Sequence, residues 1–421
     1  MNILVVGSGG REHAFIATLA KSRFGSMLFA APGNGGISEY AVCIDVKETD
    51  TAGIVKAALE YSVDIAVIQS PSALAAGVTD ELESRGIRAF GPRKNAAVAV
   101  SSGTYIRQLF RKYGIPSVTY GSFDNFAEAE AFIGNMKDFP VLLKSDGLSR
   151  RFSVVASSKA DAVEALRAMA SEKHDLSSGS RVTVGVYNEG REFIVPVLTD
   201  GKTVVPMPAV LPYKRASGGG DGKITEGMGA LCPMPSYTAA IAEKCRTAVF
   251  QPTVDALNAE GRTFRGILQF ILTSDGDDIS AVECAPCIGD PEAETVLPLI
   301  DTDLVDVINA VIDGRLQDKD VRFSHRSCVS IVAAAGGYPG EAMTGVGITV
   351  DEGFPQDASM HLFHIGTEYR GGKLTVSGGR VISVTSVADN ADSAIYRAYQ
   401  NIPRISFDGM QYRHDVGKYR I

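Results

Sequence analysis

The sequence predicts an α/β protein that opens on a parallel sheet and closes on a smaller α+β domain. Three observations carry that expectation. The first hundred residues alternate short apolar runs with helical stretches, the βαβ rhythm of a parallel sheet covered by helices on both faces. Two predicted strands run directly into glycine-rich turns, at residues 7–10 and 32–36, and ligands on such sheets sit at the carboxyl ends of the strands. From Ser327 the rhythm gives way to strands separated by Gly336-Gly337, Gly371-Gly372 and Gly378-Gly379, the pattern of an α+β unit.

Strands are expected at 2–6, 26–30, 64–69 and 88–90, with helices at 11–22, 54–61 and 78–85 between them. A helix over 104–112 stops at Gly114-Ile115-Pro116, a glycine followed by a helix-breaking proline. Residues 127–136 and 160–171 read as helices. Residues 140–144 form an apolar strand ending in Lys144, and 181–187 and 193–198 are further strands. A long glycine-rich loop spans 214–229. A long amphipathic helix covers 241–259, a hairpin joins 266–273 to 279–283, and a helix covers 304–312.

The chain has 421 residues, enough for two to four domains. Its 41 basic and 49 acidic side chains give a formal charge of −8 with no long run of one sign. That balance argues against a nucleic-acid partner, which usually meets a basic face, and leaves room for an anionic small molecule. No apolar stretch is long enough to span a bilayer. The first strand has no basic leader, and six cysteines lie scattered along the chain, so a reducing cytoplasm is expected.

The stretch Gly7-Ser8-Gly9-Gly10-Arg11-Glu12-His13 carries the first chemical signal. A strand, a glycine turn and a helix start present backbone N–H groups and a positive helix end to an anion. A nicotinamide-dinucleotide site is disfavoured, because Glu12 stands where its third glycine belongs and no acid follows the second strand to grip a ribose. A phosphate cradle and a tight turn without ligand both remain open.

Taken with its successors, that turn resembles the glycinamide-ribonucleotide synthetases (phosphoribosylamine–glycine ligases). The motifs are Gly9-Gly10-Arg11-Glu12-His13, Ala31-Pro32-Gly33-Asn34-Gly35-Gly36, Phe90-Gly91-Pro92, Gly227-Met228-Gly229-Ala230, Gly289-Asp290-Pro291-Glu292 and the run from Ala334 to Gly340. They are collinear and cover essentially the whole chain. The resemblance implies a Rossmann-like domain at 1–100, an ATP-grasp domain at 101–325 with a lid-like unit at 145–190, and a C-terminal domain at 326–421. It implies ATP and Mg²⁺, with glycine and a phosphoribosyl amine as substrates, in a monomer or homodimer. Gly9, Gly10, Arg11, Glu12, His13, Pro32, Gly33 and Asn34 would hold the ribose phosphate end. Gly227, Met228, Gly229, Pro291 and Glu292 would also face substrate, and Lys214, Arg215 and Asp290 would be catalytic. Lys144 and Glu192 would contact the nucleotide, and Glu283 the metal.

Several positions depart from the family pattern. Gly103 stands where a lysine is expected, Gly185 and Val186 where two glutamates would grip adenosine, and Ala285 where an asparagine would join the metal. Cys287 replaces an arginine, and Gln69-Ser70-Pro71 a Gly-Pro-Glu. Leu148-Ser149-Arg150-Arg151-Phe152-Ser153 replaces a glycine lid whose amides wrap phosphates. These changes raise a second hypothesis, a non-catalytic or repurposed relative that binds a phosphoribosyl ligand or an active partner. A ligase joining a different amine and acid is a third. Other clusters read as structural. Cys284-Ala285-Pro286-Cys287 lacks a second ligand pair, His361 and His364 fall on opposite faces of a strand, and the aspartates around Gly276 suit a hairpin turn better than a calcium loop. His13 either touches substrate or serves helix packing.

Overall fold

The computed structural model describes residues 1–145, 153–171, 181–187, 192–220, 222–276, 278–355 and 357–418. The replaced lid residues Leu148, Ser149, Arg150, Arg151 and Phe152 lie outside them.

Strands β1 (Asn2–Gly7), β2 (Met27–Pro32), β3 (Val42–Cys43), β4 (Ile65–Ile68) and β5 (Arg88–Phe90) form one parallel sheet in the order β3-β2-β1-β4-β5. Successive side chains of β1 serve opposite cores. Ile3 and Val5 pack with Phe15, Ile16 and Ile308, and Leu4 and Val6 pack with Ile54, Ala58 and Leu74. A sheet buried on both faces reads as a continuous apolar run, as Ile3-Leu4-Val5-Val6 does. The helix Gly10–Leu19 leaves the first glycine turn as expected. Two helices, Pro71–Ala76 and Lys94–Ser101, were not anticipated. They are short and rich in alanine, which blurs the apolar period. The first nevertheless carries a start signal, Ser70 capping the Ala73 amide with Pro71 behind it.

A second, antiparallel sheet holds β6 (Tyr120–Phe123), β7 (Val141–Ser145), β8 (Ser153–Ala156) and β9 (Val182–Val186) in the order β6-β9-β7-β8. With the helices Phe126–Asn135 and Lys159–Ser171 it closes a small core of its own around Ile133, Leu143, Leu166 and Val184. A third sheet holds β10 (Glu192–Thr199), β11 (Val204–Pro206), β14 (Gly266–Asp275) and β15 (Asp278–Ala285), the last two forming the expected hairpin. The long helix beside it is one run with a π turn at Arg246–Phe250 between Ala239–Cys245 and Gln251–Ala259. Pro252, which has no N–H to give, follows that turn.

The last large sheet runs β12-β13-β16-β18-β17, where β12 is Leu211–Pro212, β13 Gly229–Cys232, β16 Ser327–Ala334, β17 Met360–His364 and β18 Arg380–Ala388. The boundary expected at 325/326 is therefore crossed. Residues 211–212 and 229–232 leave the central region and pair with β16 through β13. The glycine-rich loop between them starts and ends on the C-terminal sheet.

Candidate active site

At the first glycine turn, the Gly9 amide donates to Glu12 Oε2 at 2.8 Å and the Arg11 amide to Asp290 Oδ2 at 3.4 Å. Carboxylates of the protein itself thus face the amides that the sequence offered to a phosphate. The glycines are needed for this close approach. A Cβ on Gly7, whose φ is +133°, would meet the Glu12 carboxyl at 2.7 Å, and one on Gly10 would strike Glu294. Arg11 pairs with Glu12 Oε1 at 2.8 Å and donates to the Ile288 carbonyl at 2.9 Å, with Cys287 Sγ at 3.6 Å. Burial opposes its charge, but Glu12, Cys287 and Asp290 more than offset that and raise its pKa.

The second turn is built on Asn34. Its Nδ2 donates to the Ser8 carbonyl at 2.8 Å and the His364 carbonyl at 2.7 Å, and its Oδ1 accepts from Gly36 and Ile37. Its amide joins both glycine turns to the C-terminal sheet with all four of its hydrogen bonds used. His13 accepts at Nδ1 from the His364 amide at 2.9 Å and is 2% exposed. Burial, then His364 and His361, hold it well below the usual histidine range, so it is neutral. A Cβ on Gly36 would meet both His13 and His364 at 2.5 Å. Asn34 and His13, two of the expected substrate contacts, both hold partners on the C-terminal sheet. Pro32 and Gly33 are half-buried.

Asp290 and Pro291 lie beside this junction. Asp290 Oδ1 is 2.8 Å from Arg380 Nη1, which also donates to the Asp290 carbonyl at 2.6 Å, while Arg380 Nη2 reaches Glu226 at 3.2 Å. Gly227, with φ +139°, packs against Pro291. Met228 is buried, its amide bonded to Tyr213 and its carbonyl to Val332, and Gly229 opens β13. Residues 227–229 are buried, and their backbone supports the start of β13. Glu292 is 4% exposed, and burial raises its carboxyl pKa against the pull of its own amide and Lys214. Glu294, which the sequence reading passed over, is fully buried with Oε2 unpartnered, and burial followed by Asp290 lifts its pKa well above the carboxylate range.

Lys144, at the end of β7, places Nζ 3.0 Å from Glu283 Oε2 on β15. Lys214 Nζ meets Glu192 at the start of β10. Burial works against the Lys214 charge, but Glu192, with Glu292 and Glu283 beyond it, raises its pKa. Arg215 donates to the Gly222 carbonyl at 2.9 Å. Lys144 and Glu192 line a cavity of ≈ 20 Å³ together with Gly185, Val186, Thr183 and Arg107. Arg107 was missed. It is 6% exposed, donates to the Val282 carbonyl, and lies 4.7 Å over the Tyr120 ring. Its position one helical turn after Gly103 is the signal that pointed to it. Cys284 and Cys287 are both buried, and burial raises Cys287 to about 11.

Family models match the three regions in turn: the phosphoribosylglycinamide synthetase N domain at 1–99, its ATP-grasp (A) domain at 101–293 and its C domain at 328–419. A phosphoribosylamine–glycine ligase of Halalkalibacterium halodurans is 34% identical over 99% of this chain and 96% of its own length. The chain belongs to the phosphoribosylamine–glycine ligase family. The human trifunctional purine biosynthetic protein adenosine-3 is 36% identical over 99% of the chain, which spans 41% of that longer protein. The crystal structure of the Thermotoga maritima phosphoribosylamine–glycine ligase superposes with a TM-score of 0.82 at 27% identity, covering 99% of this chain and 100% of that one. A biotin carboxylase domain from Hydrogenobacter thermophilus, solved with MgADP and bicarbonate, shares the fold at a TM-score of 0.74 and 15% identity, over 100% of this chain and 95% of that one. No helix among the described residues is long and apolar enough to cross a membrane.

Proposed function

We propose that this ligase-family chain joins phosphoribosylamine to glycine with ATP, and that its hold on Mg·ATP is weak. The observation behind the reading is the meeting of Lys144, Glu283, Lys214 and Glu192, drawn from three strands and a loop onto one cleft. Phosphoryl transfer needs cations for the phosphate oxygens and a carboxylate for Mg²⁺, and this set contains both. Mg²⁺ is commonly held by one or two carboxylates plus substrate phosphates, so Glu283 fits as a ligand while Ala285 adds none. When bound, the metal would offset charge on the phosphates.

In this reading, a glycine carboxylate oxygen attacks the γ-phosphorus and ADP leaves. The amine nitrogen then attacks the acyl carbon, phosphate departs, and the nitrogen gives up a proton. Lys144 and Arg107 offset charge on the phosphates, and Lys214 orients the acid end beside Glu292. Weak nucleotide binding follows from Gly103, Gly185 and Val186, which offer no charge. The glycine turns that carry Ser8, Pro32 and Gly33 take the phosphoribosyl end.

A coupled ADP-release assay tests the reading. ADP release that requires both phosphoribosylamine and glycine is expected. Release indifferent to glycine, or none at saturating nucleotide, would contradict it.

A further inference from the structure

The loop that leaves β12 and returns through β13 is itself a hairpin. Tyr213 donates to the Gly229 carbonyl at 3.0 Å, Thr225 to the Lys214 carbonyl at 2.7 Å, and Ala216 to the Lys223 carbonyl at 3.0 Å. Its tip contains Gly218, Gly219 and Gly220, with Gly219 at φ +73°. Glycines lose the most freedom on ordering, so such a tip holds one shape only if something outside it supplies an anchor.

The far end of the chain supplies one. Asp415 Oδ2 accepts from the Gly219 amide at 2.8 Å, and a Cβ on Gly218 would stand only 3.2 Å from the Asp415 carboxyl. Arg413 grips that carboxylate with two bonds of 2.8 Å, Nε to Oδ1 and Nη2 to Oδ2. Its Nη1 donates to the Arg215 carbonyl at 3.1 Å, and its guanidinium lies 5.3 Å over the Tyr213 ring. Arg413 is 5% and Asp415 7% exposed. Tyr399, on the helix Ala391–Asn401, donates its hydroxyl to the Arg413 carbonyl and accepts from the Val416 amide, both at 2.9 Å, and so fixes the segment. Bidentate, charge-assisted bonds of this kind set orientation as well as affinity.

We propose that Arg413 and Asp415 form a latch that holds the 213–229 hairpin, and through it Lys214, in working position. They are positioning residues, because they act through Lys214 and Arg215 and meet no reacting atom. One arm of the latch holds the tip at Gly219. The other holds the base at Arg215, next to the lysine that pairs with Glu192. Despite burial, the Arg413 bond and the Gly219 amide keep the Asp415 carboxyl below its ordinary range, so the latch stays charged near neutral pH. The catalytic consequence rests on the ligase reading above, but the mechanical one does not.

The test is amide hydrogen exchange on the full chain, read beside kinetics. In Asp415→Ala, exchange across 216–224 should quicken by about tenfold or more, the worth of one charge-assisted bond, while exchange in β1 and β14 stays unchanged. The KM for glycine, whose acid end Lys214 orients, should rise and that for Mg·ATP stay fixed. Arg413→Lys, which keeps charge but loses the fork, should give a smaller version of both effects. Should Asp415→Ala not fold, Gly218→Ala reads the same latch from the loop side, by pressing a methyl on the Asp415 carboxyl. Unchanged exchange at 216–224 in the folded variants overturns the latch. So does exchange that rises equally throughout the C-terminal sheet. Faster loop exchange in a chain with no turnover keeps the latch and rejects the ligase reading.

Discussion

Around the first glycine turn, Arg11, Glu12, His13, Asn34, Asp290 and Arg380 hold partners drawn from the first strands, the central region and the last sheet. Between the small sheet and the large one, Lys144 meets Glu283 and Lys214 meets Glu192 across a narrow cleft, beside positions that carry no charge at all. The first region is a buried junction in which each polar group supports another. The second is a set of opposite charges that neutralise one another until a charged ligand separates them. Among the described altered residues, Gly185 and Val186 line the cleft and Cys287 lies against Arg11 in the junction.

The largest effect expected in the junction comes from Arg380→Met. Arg380 and Asp290 have side chains 9% and 8% exposed, and breaking such a buried pair costs about 3–5 kcal/mol. Denaturant unfolding that moves by less than about 1 kcal/mol would show the junction to be weaker than its contacts suggest. In the cleft, Lys144→Met should lower kcat/KM for ATP by about 10²–10³. A fall below tenfold would shift the phosphate contact to Arg107.

Next comes pH. His364 is held at about 4 by burial, His361 at about 4 by burial and Lys21, and His13 well below its ordinary value. A histidine kept neutral in the fold takes its proton first in the unfolded chain. Its contribution is therefore present above pH 6.5 and lost as pH falls from about 6.5 towards 4. His364→Gln should flatten that decline by up to about 1.4 kcal/mol per pH unit. An unchanged slope would mean that His364 is charged in the native state.

The smallest effect expected is at Glu294. Its folded pKa is raised by burial, so its contribution is present below about pH 4.5 and lost as pH rises through the folded value. Glu294→Gln, which removes the ionisable group and keeps the shape, should stabilise the protein at neutral pH by about 1 kcal/mol. Destabilisation at pH 7 with stability unaltered at pH 4 would show that the carboxylate form is the useful one.

The parallel sheet, the β14–β15 hairpin and the order of the motifs were legible because each rests on local period or on glycine spacing. Ile3-Leu4-Val5-Val6 announces a strand buried on both faces, and Gly114 ends its helix with φ +68°. The partners of Asn34 and His13 were not legible. Both take their meaning from His364, more than three hundred residues away, and no local pattern encodes that distance. The same holds for β13, which the sequence leaves in the central region and hydrogen bonding assigns to the last sheet. Glycine turns were read as room for a ligand. Gly36 shows that a glycine can equally mark where two side chains press on the backbone.

The claim that one end of the site is well formed and the other weak is tested most directly by the Mg·ATP dependence of ADP release at saturating phosphoribosylamine and glycine. The account predicts turnover that still climbs at about 1 mM nucleotide, the upper end of ordinary KM values. Saturation at micromolar Mg·ATP would contradict it.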